Sequence, residues 1–201
     1  MSELDKKLLE LCSNENSKLV EIQELLRKRG RFKKGANPNA KDKFGWTALH
    51  LASTTGQVEV INLLLKTGAK PNIKNKQGHT PLHRASHAGQ VETVKVLLEN
   101  GADLNTKNEL GHTPLHTASY AGQVETVKVL LENGADLNAR DNGGWDALHA
   151  ASHAGQVETV KVLLEKGADP NTEDKIRWTA LHVASQAGQV ETVKVLLEKG
   201  A

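Results

Sequence analysis

The chain has 201 residues, of which 25% are charged and 3% aromatic, and its formal net charge is +2. This charge is too small to require a nucleic-acid or membrane partner, and no apolar run approaches the ~18 residues of a membrane-spanning helix. The N-terminus lacks the apolar core of a secretory signal. The single cysteine, Cys12, excludes an internal disulfide framework and predicts a reducing, intracellular setting. We expect Cys12 to be a small buried residue.

Residues 1–41 form a divergent first unit, interpreted as a capping repeat. Leucines near the start predict one helix, and the apolar cluster in 19–26 predicts a second. Between this second helix and a loop at 36–39 lies a basic insertion, residues 27–34, with six basic residues in eight. We interpret the insertion as a solvated loop. A nuclear localisation signal and a patch for an anionic partner remain alternatives.

The rest of the chain repeats every 33 residues. The string AGQVETVKVLLE occurs unchanged at 88–99, 121–132, 154–165 and 187–198. Leu-His, followed after one residue by Ala, recurs five times at the same step. Such a period indicates a stack of like units in one continuous domain. The predicted units are 1–41, 42–74, 75–107, 108–140, 141–173 and an apparently truncated 174–201.

Two helices are predicted in each unit. Thr or Asp at 47, 80, 113, 146 and 179 can cap the first helix, and Pro81 and Pro114 fall at its first position. The unchanged string is the second helix, whose apolar stripe consists of Val91, Val94, Leu97 and Leu98 and their equivalents. Glycines 68, 101, 134, 167 and 200 are predicted C-caps. Stacked units bury each other's stripes, so the fold class is predicted to be all-α.

The string Thr80-Pro-Leu-His83, followed by Ala85, resembles the hallmark of the ankyrin repeat. The resemblance covers residues 36–201 strongly and 1–35 weakly. It implies an ankyrin-repeat solenoid of helix–turn–helix units with hairpin-like finger loops. It also implies that the Leu-His histidines (50, 83, 116, 149 and 182) hydrogen-bond the finger backbone.

No catalytic or metal site is predicted. The Leu-His histidines lie one unit apart, too far for two of them to share a zinc ion at ~2.0–2.1 Å. The sequence contains no phosphate-binding glycine loop, no Cys-x-x-Cys pair and no His-Glu-x-x-His string. We therefore expect a protein that is not an enzyme and has no cofactor.

Five columns of the aligned units vary in size and charge, unlike the second helix. They lie at the turn tip, just after it, after the turn glycine, after the Leu-His histidine, and farther along the first helix. In the ankyrin family such columns face the concave side, which usually holds the protein-binding site. The variable columns contain five of the six aromatic residues, which is typical of interface hot spots. The alternative is that the tryptophans only pack against the adjacent finger. The candidate partner-binding residues are Lys43, Phe44, Trp46, Leu51, Thr54, Lys76, Gln77, His79, Arg84, His87, Glu109, Leu110, His112, Tyr120, Asn142, Trp145, His153, Lys175, Ile176, Trp178 and Gln186.

The sequence thus predicts a non-catalytic module that binds a protein or peptide on this concave face. Identical helices beside a diversified face fit a natural scaffold or host-interacting protein, or an engineered ankyrin binder. Binding of nucleic acid or another anion through residues 27–34 and a purely structural spacer are the alternatives. We expect no membrane partner and a cytoplasmic location, or a nuclear one if the basic insertion is a localisation signal.

Two departures from the repeat pattern lead to further expectations. Arg177 replaces the turn glycine found at 45, 78, 111 and 144, so its turn should be strained or differently shaped. The chain stops at Gly200-Ala201, which should leave one flank of Val193, Leu196 and Leu197 uncovered. We expect a fragment of a longer array or an end that packs on another molecule, and otherwise a monomer.

Overall fold

The computed structural model describes residues 1–14, 19–27 and 35–201. These residues form twelve α-helices and no strand, which confirms the predicted all-α class. Apart from Arg27, the basic insertion lies outside the described residues. The helices are α1 (Glu3–Cys12), α2 (Leu19–Leu26), α3 (Ala48–Thr55), α4 (Val58–Lys66), α5 (Pro81–Ala88), α6 (Val91–Glu99), α7 (Pro114–Tyr120), α8 (Val124–Glu132), α9 (Ala147–His153), α10 (Val157–Glu165), α11 (Ala180–Gln186) and α12 (Val190–Glu198).

The chain divides into two compact units. Unit 1 comprises Met1–Ala85 and Glu92–Asp103, and unit 2 comprises Ser86–Val91 and Leu104–Ala201. In unit 1, α1 packs on α2 and α3, and α4 packs on α2 and α3. In unit 2, α9 packs on α7, α10 and α11, and α12 packs on α10 and α11. Each unit is therefore a stack of helix pairs.

The first helix of each pair begins at the predicted capping residues. Thr47, Thr113, Asp146 and Thr179 are N-cap residues with extended backbone. Because the first backbone N–H groups of a helix have no partner within it, a capping oxygen stabilises the helix start. Pro114 follows as the first helical residue, where its missing N–H costs nothing.

The C-caps of the second helices lie one residue earlier than predicted, and the left-handed glycine follows the cap. The C-cap of α4 is Thr67, and Gly68 follows it with φ 95°. Ala69 N donates to Leu64 O at 2.9 Å, and Gly68 N donates to Leu65 O at 3.0 Å. This pair of bonds is the Schellman arrangement, in which the glycine is the residue after the C-cap. The prediction that these glycines are themselves the C-caps is therefore wrong by one position.

The core of unit 2 comes from the two middle positions of the predicted stripe together with small residues of the first helices. The first and last stripe positions were expected to be buried as well, but they are half-buried at Val157 and Leu164 and exposed at Val190 and Leu197. Val127, Leu130, Val160 and Leu163 are fully buried, and each contributes about 1.5–3 kcal/mol to the hydrophobic stabilisation. In unit 1, Cys12 is fully buried, as predicted, and burial raises the pKa of its thiol to about 12.

The last helix is covered more completely than expected. Leu196 is fully buried because it lies on the side of α12 that packs against α10 and α11, so the prediction for this residue is wrong. Val193 is half-buried, whereas Val160, one repeat earlier, is fully buried. Leu197 is exposed. The predicted uncovered flank is therefore confirmed for Val193 and Leu197.

Candidate functional site

Each finger is a tight turn built around one Asp or Asn side chain. The five full repeats are numbered from residue 42, so that residues 141–173 are the fourth repeat. There, Asp141 Oδ1 accepts from Gly143 N at 2.7 Å and from Trp145 N at 2.8 Å. Asp141 N donates to Trp145 O at 2.8 Å, and Gly144 closes the turn with φ 90°. A side-chain carbonyl that accepts from the backbone further along stabilises such turns. Residues 42, 75, 108 and 174 make the same pair of bonds.

Sequence reasoning missed this Asp/Asn column. Its signal was present, because every unit has either Asp or Asn three residues before the turn glycine position. The column fixes where the two variable residues at the tip point. It therefore positions the candidate contact residues without belonging to them.

Arg177 keeps the common turn shape at the expense of strain. Its N donates to Asp174 O at 3.1 Å, as Gly144 N does to Asp141 O. Its φ is 65°, and no other non-glycine residue of the described ranges has a positive φ. A side chain in this region costs roughly 1–2 kcal/mol. Of the two outcomes expected for this turn, strain is confirmed, and Ile176 and Trp178 occupy the usual tip positions.

Leu-His histidines connect a first helix to the next finger within each unit, at His50 in unit 1 and at His116 and His149 in unit 2. His50 Nε2 lies 2.9 Å from His79 O, and its Nδ1 accepts from Thr47 N at 3.2 Å. A carbonyl oxygen can only accept, so Nε2 carries the proton and the ring is neutral. Burial lowers the pKa of His50 to about 4, and the nearby Lys41 and Arg84 charges add to this shift. The structural role implied by the resemblance is confirmed here and at His116, which lies 3.0 Å from Trp145 O.

The fourth repeat replaces this neutral cap with an ion pair. His149 Nδ1 lies 2.8 Å from Asp146 Oδ1, and its Nε2 lies 3.1 Å from Trp178 O. Both partners are acceptors, so both ring nitrogens carry protons and the ring is an imidazolium. Burial alone would lower the pKa of His149, but the hydrogen bond and charge of Asp146 outweigh it, and the pKa is raised. Burial likewise opposes ionisation of Asp146, yet His149 holds its pKa below the usual value.

All of the predicted contact residues are at least partly accessible. Lys43, Phe44, Lys76, Gln77, His87, Glu109, Leu110, Tyr120, Asn142, Lys175, Ile176 and Gln186 are exposed, and Trp46, Leu51, Thr54, His79, Arg84, His112, Trp145, His153 and Trp178 are half-buried. The structure brings several of them together in one cleft of unit 1 and one cluster of unit 2.

The cleft of unit 1 (Ser13, Asp42, Phe44, Trp46, Leu51, Thr54, Thr55 and Arg84) has a volume of about 290 Å³. Within it, Arg84 Cζ lies 5.0 Å from the centroid of the Trp46 ring, a distance at which a cation is attracted to an aromatic face. Arg84 Nε also donates to Thr54 Oγ1 at 3.3 Å. The cleft thus combines an aromatic wall with one oriented cation.

The cluster of unit 2 (Tyr120, Trp145 and His153) joins neighbouring repeats. The His153 ring centroid lies 5.3 Å from that of Trp145 and 6.4 Å from that of Tyr120. Trp145 is held from the other side, because its Nε1 donates to Asp174 Oδ2 of the next finger at 3.0 Å. His112 makes a similar link to Asp141 Oδ2 at 3.1 Å. The alternative in which a tryptophan stiffens the adjacent finger is thus supported for Trp145.

Within the five full repeats, large apolar side chains are exposed mainly where the columns vary. Beyond residue 35, six of them are exposed: Phe44 (56%), Leu110 (62%), Tyr120 (51%), Ile176 (67%), Val190 (63%) and Leu197 (56%). Four of the six lie in the variable columns, and three of these are at finger tips. Exposed apolar groups with a polar rim are typical of interaction sites.

No cluster of three or more His, Cys, Asp or Glu side chains in 1–14, 19–27 and 35–201 is arranged to hold a metal ion. Within the same ranges, every helix is too short or too polar to span a bilayer.

Comparison with known families agrees with the resemblance seen in the sequence. The family model described as ankyrin repeats matches three times, at residues 8–108, 105–174 and 141–201. These matches cover most of the chain and confirm the predicted ankyrin-repeat fold. A comparison with curated proteins gives no match.

Proposed function

The chain belongs to the ankyrin-repeat family, and we propose that it binds a protein or peptide through its finger tips and first helices, without catalysing a reaction. Ankyrin repeats are generally protein–protein interaction modules, and the family is typically non-enzymatic. The proposed surface belongs to the side that is concave in this family. An intracellular location and the absence of a cofactor are part of the proposal.

One observation carries the proposal: within the five full repeats, four of the six exposed large apolar residues lie in the columns that differ between repeats. Burying such a residue on binding contributes about 25 cal/mol per Å² of apolar surface, whereas keeping it in water contributes nothing to folding. The unchanged second helices instead show Lys–Glu pairs such as Lys95–Glu92, at 2.7 Å, which are suited to a solvated surface. The finger tips and first helices are therefore the better candidates for contact.

The Asp/Asn turns also favour rigid binding. Each tip is held by two side-chain–backbone bonds, and in unit 2 Asn142 N donates to Leu110 O of the neighbouring finger at 3.0 Å. A surface that is already ordered loses less conformational entropy on binding. We expect the backbone of the fingers to move little when a partner binds.

The test compares two matched variants of the full chain in pull-downs from a lysate of the producing cells. The tip variant is Leu110→Ser/Ile176→Ser, and the control is Val190→Ser/Leu197→Ser, which removes equally exposed apolar groups from the repeated string. We expect the same partner with the wild type and the control, and its loss with the tip variant. Loss with the control alone, or retention by all three, would contradict the proposal. Equal unfolding temperatures establish that both variants fold.

A further inference from the structure

Arg84 is an unusual residue for its position in the repeat. The equivalent residues in the fourth and fifth repeats are Ala150 and Val183, which are both buried. Arg84 is half-buried instead, and burial lowers the pKa of its guanidinium. The first helix of this repeat thus carries a partly desolvated positive charge where the equivalent residues, Leu51, Thr117, Ala150 and Val183, are all uncharged.

The guanidinium of Arg84 is oriented by two neighbours from the preceding repeat. Its Nε donates to Thr54 Oγ1 at 3.3 Å, and its Cζ lies 5.0 Å from the centroid of the Trp46 ring. In the described part of the chain, no carboxylate comes within the 4.0 Å ion-pair distance of Arg84. Asp42 lines the same cleft, but its Oδ1 accepts from Phe44 N and Trp46 N, at 2.8 and 2.9 Å. Among the described residues, Arg84 therefore lines the cleft without a carboxylate partner.

Charge around the cleft favours an acidic ligand. The fingers of unit 1, residues 35–47 and 70–80, contain five lysines and one aspartate. The last two fingers of unit 2, residues 136–146 and 169–178, contain six acidic and three basic residues. An acidic segment is thus attracted to the first set and repelled by the second, over distances up to about 8 Å at physiological ionic strength.

The dimensions of the cleft favour an extended segment. Its volume of about 290 Å³ lies at the lower end of the roughly 300–1,000 Å³ of ligand pockets. This is room for one or two side chains. Phe44, Trp46 and Leu51 form apolar walls beside the cation, so an acidic residue next to an apolar one matches the lining.

We propose that the cleft of unit 1 binds an Asp or Glu carboxylate of an extended acidic segment in a protein partner, with Arg84 as the residue that recognises it. The planar fork of an arginine matches a carboxylate through two parallel N–H···O bonds. The inference rests on the proposed protein-binding function and specifies its ligand chemistry.

The test begins with a random 12-residue peptide library selected against the full chain. Peptides should be enriched in Asp or Glu at one register beside an apolar residue. For a selected peptide, changing that Glu to Gln should weaken binding to the wild type about tenfold to a hundredfold. Arg84→Gln should bind the Glu and Gln peptides equally. Lys66→Gln, a control that removes an exposed charge from α4 of the same unit, should keep the discrimination. Arg84→Lys keeps the charge without the fork and should lose most of the discrimination, which tests the point even if Arg84→Gln unfolds.

Three results would overturn the inference. The library could yield no binding peptide, or the selected peptides could share no position enriched in Asp or Glu. Both Arg84 variants could also prefer the Glu peptide over the Gln peptide as strongly as the wild type does. More than tenfold tighter binding of a phosphoserine peptide than of its Glu counterpart would overturn it in favour of a phosphate ligand. Peptides that bind independently of Arg84, but are lost with Leu110→Ser/Ile176→Ser, would overturn the cleft while leaving the proposed function intact.

Discussion

Acidification should destabilise unit 1 through His50. The ring is buried and neutral, donating Nε2–H to His79 O at 2.9 Å, and its pKa falls from 6.5 to about 4 on folding. The unfolded chain therefore binds more protons than the native chain between these values. Stability is complete above pH 6.5 and is lost as the pH falls towards 4. From pH 7.5 to 4.5, linkage for this one group amounts to about 2.5 kcal/mol.

The assay is urea unfolding of the wild type and His50→Gln at both pH values, with the His50 ring titrated by NMR. The amide of Gln can still donate towards the finger but does not titrate, so His50→Gln should lose about 2.5 kcal/mol less on acidification than the wild type. His182→Gln is the control, because it makes the same substitution at the exposed Leu-His histidine. It should leave the loss of stability on acidification unchanged. A His50 pKa near 6.5, or equal acid losses in the wild type and His50→Gln, would refute the reasoning.

Three further substitutions test separate features of the repeats. Asp146→Thr restores the threonine cap of the other repeats, so the pKa of His149 should fall from above 6.5 to below 6.5. In the wild type, the Asp146–His149 ion pair stabilises the fold only between two limits. Its contribution is lost when the pH rises through the raised pKa of His149 and when the pH falls through the lowered pKa of Asp146. An unchanged NMR titration of His149 would contradict the assigned imidazolium. Ser119→Ala should stabilise the protein by about 1 kcal/mol, because the buried hydroxyl has no hydrogen-bond partner among the described residues. Its control, Ser185→Ala at the exposed equivalent, should be neutral in chemical denaturation. Equal effects of the two serine substitutions would dismiss the unpaired hydroxyl as the cause. Arg177→Gly should raise the unfolding free energy by about 1 kcal/mol by relieving the left-handed strain, and a loss of stability would show that the turn is not strained.

The sequence predicted the helix pairs because their cause is local and periodic. Capping residues, the apolar stripe of the second helix and the glycine after it recur at fixed spacing, so one unit explains the others. Position 196 shows where this reasoning fails. Three stripe residues of α12 were expected to share an open flank, but Leu196 faces α10 and α11 and is fully buried. Spacing alone does not say which side of a stripe is covered by its own repeat.

The positions of the candidate contact residues were predictable by comparing equivalent residues of the repeats. The charge and orientation of these side chains were not, because they depend on contacts between residues at different positions. Asp146 was recognised only as another N-cap, whereas its carboxylate also determines the charge of His149, three residues later. Arg84 was expected to be a polar contact residue, yet its orientation depends on Trp46 and Thr54 from the preceding repeat. These contacts of Arg84 join residues 30 or more positions apart. Variation in single columns does not reveal them.

The central claim is that the fingers and first helices make contact while the second helices support them. Amide hydrogen exchange of the full chain, with and without a protein captured in the pull-downs, tests it most directly. We predict slower exchange at the finger tips, above all at 108–112 and 174–178, and in the adjoining first helices, with α8 and α10 unchanged. Protection confined to α8 and α10, with the finger tips unaffected, would contradict the claim.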